Sequence, residues 1–180
     1  SEITLATNDE RTAVCCLSSV NVEKFDEWKD NKLFIDDLMR MLDNVLTHFI
    51  DVAPSHLWRA VASAKSERSI GLGAMGFHTY LQSKNVPMES DIAISLNKTI
   101  FKHIHTNALA ANYILGKERG EPSDMKGTGK RFAHMIAIAP NASSSIICGG
   151  VSPSIEPFRA NAFTQKTLSG SALMKNPNLE

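Results

Sequence analysis

Between Lys32 and Asp51 apolar residues return every three or four positions: Phe34, Leu38, Met41, Leu42, Val45 and Phe49. Charged residues (Asp36, Asp37, Arg40, Asp43) fill the places between them, the pattern of an amphipathic helix with one face inward. Pro54 follows as a stop signal. The same period recurs over Asp91 to Lys117, where Ile92, Leu96, Ile100, Ile104, Ala108, Ala111 and Leu115 form one stripe, with Gly116 and Gly120 offering caps near its end. The segments around these helices are short and apolar. Ile3–Thr7, Ser69–Leu72 and Met135–Ala139 read as strands, Thr12–Leu17 as a strand or an extended run, and Asn8-Asp9-Glu10 as a turn. Residues 55–67 read as a shorter helix or an irregular connection and 73–83 and 142–147 as shorter helices, with loops over 121–131 and 149–157. Strands alternating with helices predict an α/β fold with parallel pairing. No repeat, low-complexity tract or shift in composition divides the chain, so residues 1–180 are expected to form one segment without an internal boundary.

Composition removes several classes of function. Nineteen Lys plus Arg balance nineteen Asp plus Glu, whereas sequence-independent binding of nucleic acid requires a surplus of cations. A 43% hydrophobic and 21% charged composition argues against wholesale disorder. The longest nearly unbroken apolar stretch, Ala133–Ala139, is far short of the roughly 20 residues that span a bilayer. Three cysteines, Cys15, Cys16 and Cys148, do not make a disulfide framework, and a reducing, cytoplasmic setting is expected. The chain opens on Ser1 and ends abruptly at Glu180, as a piece of a longer protein would.

Four constellations are candidates for chemistry. Gly71-Leu72-Gly73-Ala74-Met75-Gly76 matches the dinucleotide fingerprint G-x-G-x-x-G, yet Glu89 and Asp91 open a helix where that fold places an acid after a second strand. The glycines read either as a dinucleotide (NAD or FAD) turn or as a means of close packing. Pro140-Asn141-Ala142-Ser143-Ser144-Ser145 lies at a strand end and a helix start, where free N–H groups and small hydroxyls suit an anion as well as an ordinary cap. Cys15-Cys16 has no accompanying metal-ligand spacing and reads as buried free thiol or as half of a redox pair. Glu2, embedded in an apolar strand, is either an edge residue or a carboxylate placed for proton transfer. His78, His103 and His105 read as surface or capping residues, and Glu156 as an exposed turn acid.

Taken in order, Ser1-Glu2-Ile3, Ala13-Val14-Cys15-Cys16-Leu17, Arg68-Ser69-Ile70-Gly71-Leu72-Gly73, Ala139-Pro140-Asn141-Ala142-Ser143-Ser144-Ser145, Ser154-Ile155-Glu156-Pro157 and Thr167-Leu168-Ser169-Gly170 resemble the large catalytic subunit of ribonucleotide reductase, in its class I, tailed-bacteriophage type. The resemblance covers essentially the whole chain. It implies part of a ten-stranded α/β barrel that reduces ribonucleotides to deoxyribonucleotides by radical chemistry for DNA synthesis. Glu2 matches the glutamate of the family's Asn-x-Cys-x-Glu loop, a proton-transfer residue at the substrate 3′-hydroxyl. Cys15, with Cys16 beside it, matches one half of the reducing dithiol. Asn141, Ala142, Ser143 and Ser144 match the loop that holds substrate phosphate.

The resemblance further implies no cofactor within this segment. The radical would come from a metal-containing small subunit in class I, or from adenosylcobalamin in class II. The implied partners are the upstream segment of the same subunit, that small subunit, a ribonucleotide, and thioredoxin or glutaredoxin, with no membrane and no nucleic acid. The setting would be cytoplasmic, that of the host for a phage protein. The family's thiyl-radical cysteine would stand directly before Ser1, and a serine there is what an intein insertion leaves downstream. The isolated piece is expected to be inactive, and an inert extein or scaffold piece is the non-enzymatic alternative.

Overall fold

The computed structural model describes residues 2–167 and 170–179. The intein-flank expectation for Ser1 and the Leu168-Ser169 part of the Thr167–Gly170 motif therefore lie outside the described residues. Among the described residues four strands, β1 (Leu17–Asn21), β2 (Gly71–Met75), β3 (Ala162–Thr167) and β4 (Gly170–Lys175), accompany six α-helices. These are α1 (Phe25–Trp28), α2 (Phe34–Val52), α3 (Trp58–Glu67), α4 (Phe77–Ser83), α5 (Asp91–Arg119) and α6 (Ser144–Ile147). Among the described residues no helix is long and apolar enough to cross a membrane.

The residues gather into two compact units, and the chain passes repeatedly between them. The first contains residues 1–18, 29–72 and 102–137, and the second residues 19–28, 73–101 and 138–180.

In the first unit the start of β2 is the central line. The Gly71 N–H donates to the Cys16 carbonyl at 2.8 Å, and Leu72 bridges Ile136 in parallel. The bonds from Ile70 N–H to His134 O (3.0 Å), Leu72 N–H to Met135 O (2.9 Å) and Ala137 N–H to Leu72 O (3.2 Å) give the slanted ladder of parallel pairing. Parallel pairing is what the alternating sequence pattern predicts. The strands begin later than expected, however. Residues 3–7 form no strand, and of 12–17 only Leu17 belongs to one; between these runs Asn8 Oδ1 accepts from the N–H groups of Glu10 and Arg11 in the expected turn.

Helix α2 fills its predicted span but turns a different face inward. Ile35, Met39, Leu42 and Leu46 are buried, whereas Met41 is 43% and Val45 52% exposed. The cause is Asp43, wholly buried, whose carboxylate meets Arg68 and Arg119 (2.6 and 2.7 Å) and Arg131 (3.2 Å). Burial alone would raise its pKa. The hydrogen bond from Arg119 and the charges of Arg68 and Arg131 outweigh that and hold it below the usual carboxylate value. A second buried acid, Glu67, accepts from Ser63 Oγ (2.6 Å) and Ser69 Oγ (3.1 Å), and Ser69 is also bonded to His134 Nδ1 (2.9 Å). Both networks pin the entry to β2.

In the second unit Gly76 caps α4 at φ +81, with the side-chain oxygen of Asn21 only 2.6 Å from where a Cβ would stand. Its N–H donates to Ser152 O at 2.8 Å. Thr79 and Ser152 then bond reciprocally: the Ser152 N–H donates to Thr79 Oγ1 at 2.9 Å, and the Thr79 N–H to Ser152 Oγ at 3.3 Å. These bonds fix the 151–154 turn on α4. Strands β3 and β4 form an antiparallel hairpin, absent from the sequence reading, in register from Ala162↔Lys175 to Thr167↔Gly170.

Candidate functional site

Neighbouring residues on extended backbone point to opposite sides. Just before β1 this separates the two adjacent cysteines. Cys16 is buried, with its thiol directed at the Leu42 carbonyl (3.7 Å), while Cys15 is exposed. Glu2 is exposed in the same unit, beside the buried Ile3. The Cys15 thiol is pushed above its ordinary pKa first by partial burial and then by the negative charge of Glu2. Carboxylate and thiol thus share one local field, and the thiol keeps its proton at neutral pH. Cys16 is also pushed up, mainly by burial.

The expected phosphate loop lies in the second unit. Asn141 adopts φ +39, and its side-chain N–H₂ donates to Ala74 O (3.2 Å) and Ala139 O (2.8 Å). Its amide is thus spent on holding the loop to β2. Ala142, Ser143 and Ser144 are exposed, and among the described residues their N–H groups make no backbone hydrogen bond, the first being Ser145 N–H to Asn141 O at 3.0 Å. Helix α6 is only four residues long, so the local amides rather than a helix dipole would meet an anion.

A cavity of about 320 Å³ adjoins this loop, lined among others by Ala142, Ser145, Glu156, Phe158, Arg159 and Phe163. The Arg159 guanidinium stacks on Phe163 (4.4 Å to the ring centre) and donates to Thr164 O at 2.6 Å. Arg159 carried no sequence signal, because a lone exposed arginine is ordinary; only the hairpin brings it here. Glu156 is exposed, as expected. His78 is not merely a surface residue. It is half-buried, accepts the Phe158 N–H on Nδ1 (3.3 Å) and packs edge-on against that ring (5.8 Å). Burial lowers its pKa, against a smaller opposing pull from Glu89.

The dinucleotide reading of Gly71–Gly76 finds no opening. Residues 71–75 are a fully buried strand, and the space beside Gly71 is taken by Leu17, Ala137 and Ile3. A pyrophosphate needs glycines in an exposed turn ahead of a helix.

Comparison with known proteins bears directly on these elements. The family model described as "Ribonucleotide reductase, barrel domain" matches residues 1–128 and 122–180. The chain belongs to the ribonucleotide reductase barrel family. It is 59% identical over 176 residues to the ribonucleoside-diphosphate reductase large subunit of Invertebrate iridescent virus 6, a match that covers 98% of this chain and 18% of that protein. With the corresponding large subunit of Invertebrate iridescent virus 3 it shares 56% identity, over 100% of this chain and 29% of the relative. The Actinobacillus ureae class Id ribonucleotide reductase alpha subunit superposes with a TM-score of 0.88 at 41% identity, over 99% of this chain and 33% of that one. The chain thus spans about a fifth to a third of the length of the relatives it matches. The α/β barrel expectation agrees with the family model and with this structural relative. The relatives include large subunits of iridescent viruses, and the tailed-phage type is a finer statement than they carry.

Proposed function

We propose that this chain is a segment of a class I ribonucleotide reductase catalytic barrel, and that it supplies one acid, one redox thiol and the phosphate loop. In this reading Glu2 takes the proton of the substrate 3′-hydroxyl, which eases departure of the 2′-hydroxyl. A thiol protonates that hydroxyl, which leaves as water. Cys15 and a cysteine from the upstream segment then give up two electrons and two protons, forming a disulfide while the 2′-carbon is reduced. An external dithiol of the thioredoxin or glutaredoxin kind would reopen the disulfide. The radical comes from a metal-containing partner subunit, and the substrate is a ribonucleoside diphosphate, in keeping with the names of the relatives. Ala142, Ser143 and Ser144 offer amides and hydroxyls to its phosphates, while Asn141 shapes the loop. The setting is the cytoplasm.

The observation that carries this reading is the pairing of an exposed, proton-retaining Cys15 with the charge of Glu2, while Cys16 is turned into the core. A thiol that holds its proton at neutral pH suits a group that must deliver it to a leaving hydroxyl. The test is deoxynucleotide formation by the chain joined to the rest of its catalytic subunit, with a radical-generating partner present. Glu2→Gln and Cys15→Ser should each lower turnover by about 10²-fold or more, and Cys16→Ser far less. Wild-type turnover in the first two variants would dispose of the assignment.

A further inference from the structure

Gly71 is a glycine inside a buried strand, where glycine weakens pairing and usually marks a place that something else approaches closely. Its backbone does not have the positive φ that would demand glycine, so space rather than conformation accounts for it. A Cβ there would overlap Leu17 Cδ2 and stand 2.7 Å from Ala137 Cβ and 2.9 Å from Ile3 Cδ1. Ile3 follows Glu2, and Leu17 lies two residues beyond Cys15. The Gly71 N–H also holds the Cys16 carbonyl at 2.8 Å.

We propose that Gly71 is a positioning residue for the Glu2–Cys15 pair: its missing side chain lets the two segments that carry these groups seat on one point of β2. The proposal rests on the functional reading of Glu2 and Cys15 given above. Of the three neighbours, Ala137 cannot yield, because its methyl is fixed to a backbone bonded to Leu72 at 3.2 Å. An added methyl at 71 therefore displaces Ile3 and Leu17, the side chains that anchor the acid and the thiol. Gly71 touches neither substrate nor reacting atoms and acts only through this seating.

The test is site-resolved alkylation of Cys15 by iodoacetamide across pH on the full chain, read by peptide mass spectrometry. Only the thiolate reacts, so the midpoint of the rate profile reports the Cys15 pKa, which burial raises first and the Glu2 charge second. Glu2→Gln moves that midpoint down. Gly71→Ala is expected to move it down as well, and to produce a smaller shift when added to Glu2→Gln than it does alone. A wild-type midpoint in folded Gly71→Ala, or an equal extra shift in the Glu2→Gln background, would overturn the proposal. If Gly71→Ala does not fold, Ile3→Ala removes the same seat from the other side without crowding β2. It should also lower the midpoint, and an unchanged profile refutes the seating. None of these readouts depends on turnover, so loss of the catalytic reading and loss of this one are separately visible.

Discussion

An exposed thiol that feels the charge of Glu2 and a buried thiol one residue away are chemically different groups, although the sequence prints them as a pair. Cys15 carries the burial and the Glu2 charge that raise its pKa, and Cys16 carries a contact to the Leu42 carbonyl. The alternation of extended backbone predicts that such neighbours part ways, but it does not say which one faces inward. Only packing under α2 decides that. His78 gives a test of its own. Folding lowers its pKa, so the neutral ring, whose Nδ1 accepts from Phe158, is the stabilising form. Its contribution is complete above the ordinary imidazole value and is lost as pH falls through the lowered folded one. An NMR titration should therefore find His78 midway at a pH below that of a free imidazole, with the Phe158 amide signal moving in step. A midpoint at or above the ordinary value would contradict the acceptor role.

At the level of elements, α2 was legible in span and misread in face, whereas the α5 stripe turns Ile100, Ile104, Ala108, Ala111 and Leu115 inward as expected and leaves only its first residue, Ile92, exposed. The α2 stripe through Phe34, Leu38, Met41 and Val45 is real in the sequence, but Asp43 lies inward because three arginines distant in sequence converge on it. A charged residue between apolar ones reads as solvent-facing, and no local pattern announces cations that arrive from Arg68, Arg119 and Arg131. Asp43→Asn should destabilise the protein by about 3–5 kcal/mol, because it strands buried guanidinium charge; chemical denaturation checks this, and a loss below 1 kcal/mol would mean the hub behaves like a surface pair. The same depressed carboxylate makes its stabilisation complete above the ordinary Asp value and lost as pH falls through the folded one. Gly116 belongs to this scale as well. It was read as a helix cap, yet a Cβ there would run into the Gly129 carbonyl, while Gly120 at φ +83 follows the last residue of α5. Gly116→Ala should therefore cost about 1–3 kcal/mol, the usual penalty of overpacking, despite alanine's better helix propensity. A stabilised variant in a thermal melt would show that the loop gives way. The strands were displaced by a few residues for a similar reason: β-branched runs such as Ile3–Thr7 satisfy the strand pattern, but a ladder also needs a partner at the right register.

For the whole molecule, the even composition gave no sign of two compact units, because the chain returns to each of them several times and no single linker separates them. The order of short motifs held more information than any one of them. Gly71–Gly76 alone suggests a dinucleotide turn, whereas in sequence with Cys15 and with Asn141–Ser144 it fits the barrel family that the full-length match identifies. The hairpin β3–β4 and Arg159 remained invisible, since their placement depends on pairing rather than on local pattern. If the loop serves as proposed, Ser143→Asp should raise KM for the diphosphate at least tenfold with little change in kcat, because it sets a negative charge where phosphate would bind; steady-state kinetics decides this, and an unchanged KM removes the loop from the site. The most direct measurement of the central claim is a single turnover of the complete catalytic subunit without external reductant, followed by mapping of its thiols. Cys15 should be recovered in a disulfide in proportion to deoxynucleotide formed, with Cys16 and Cys148 still free. Product formed while Cys15 remains fully alkylatable would contradict the account.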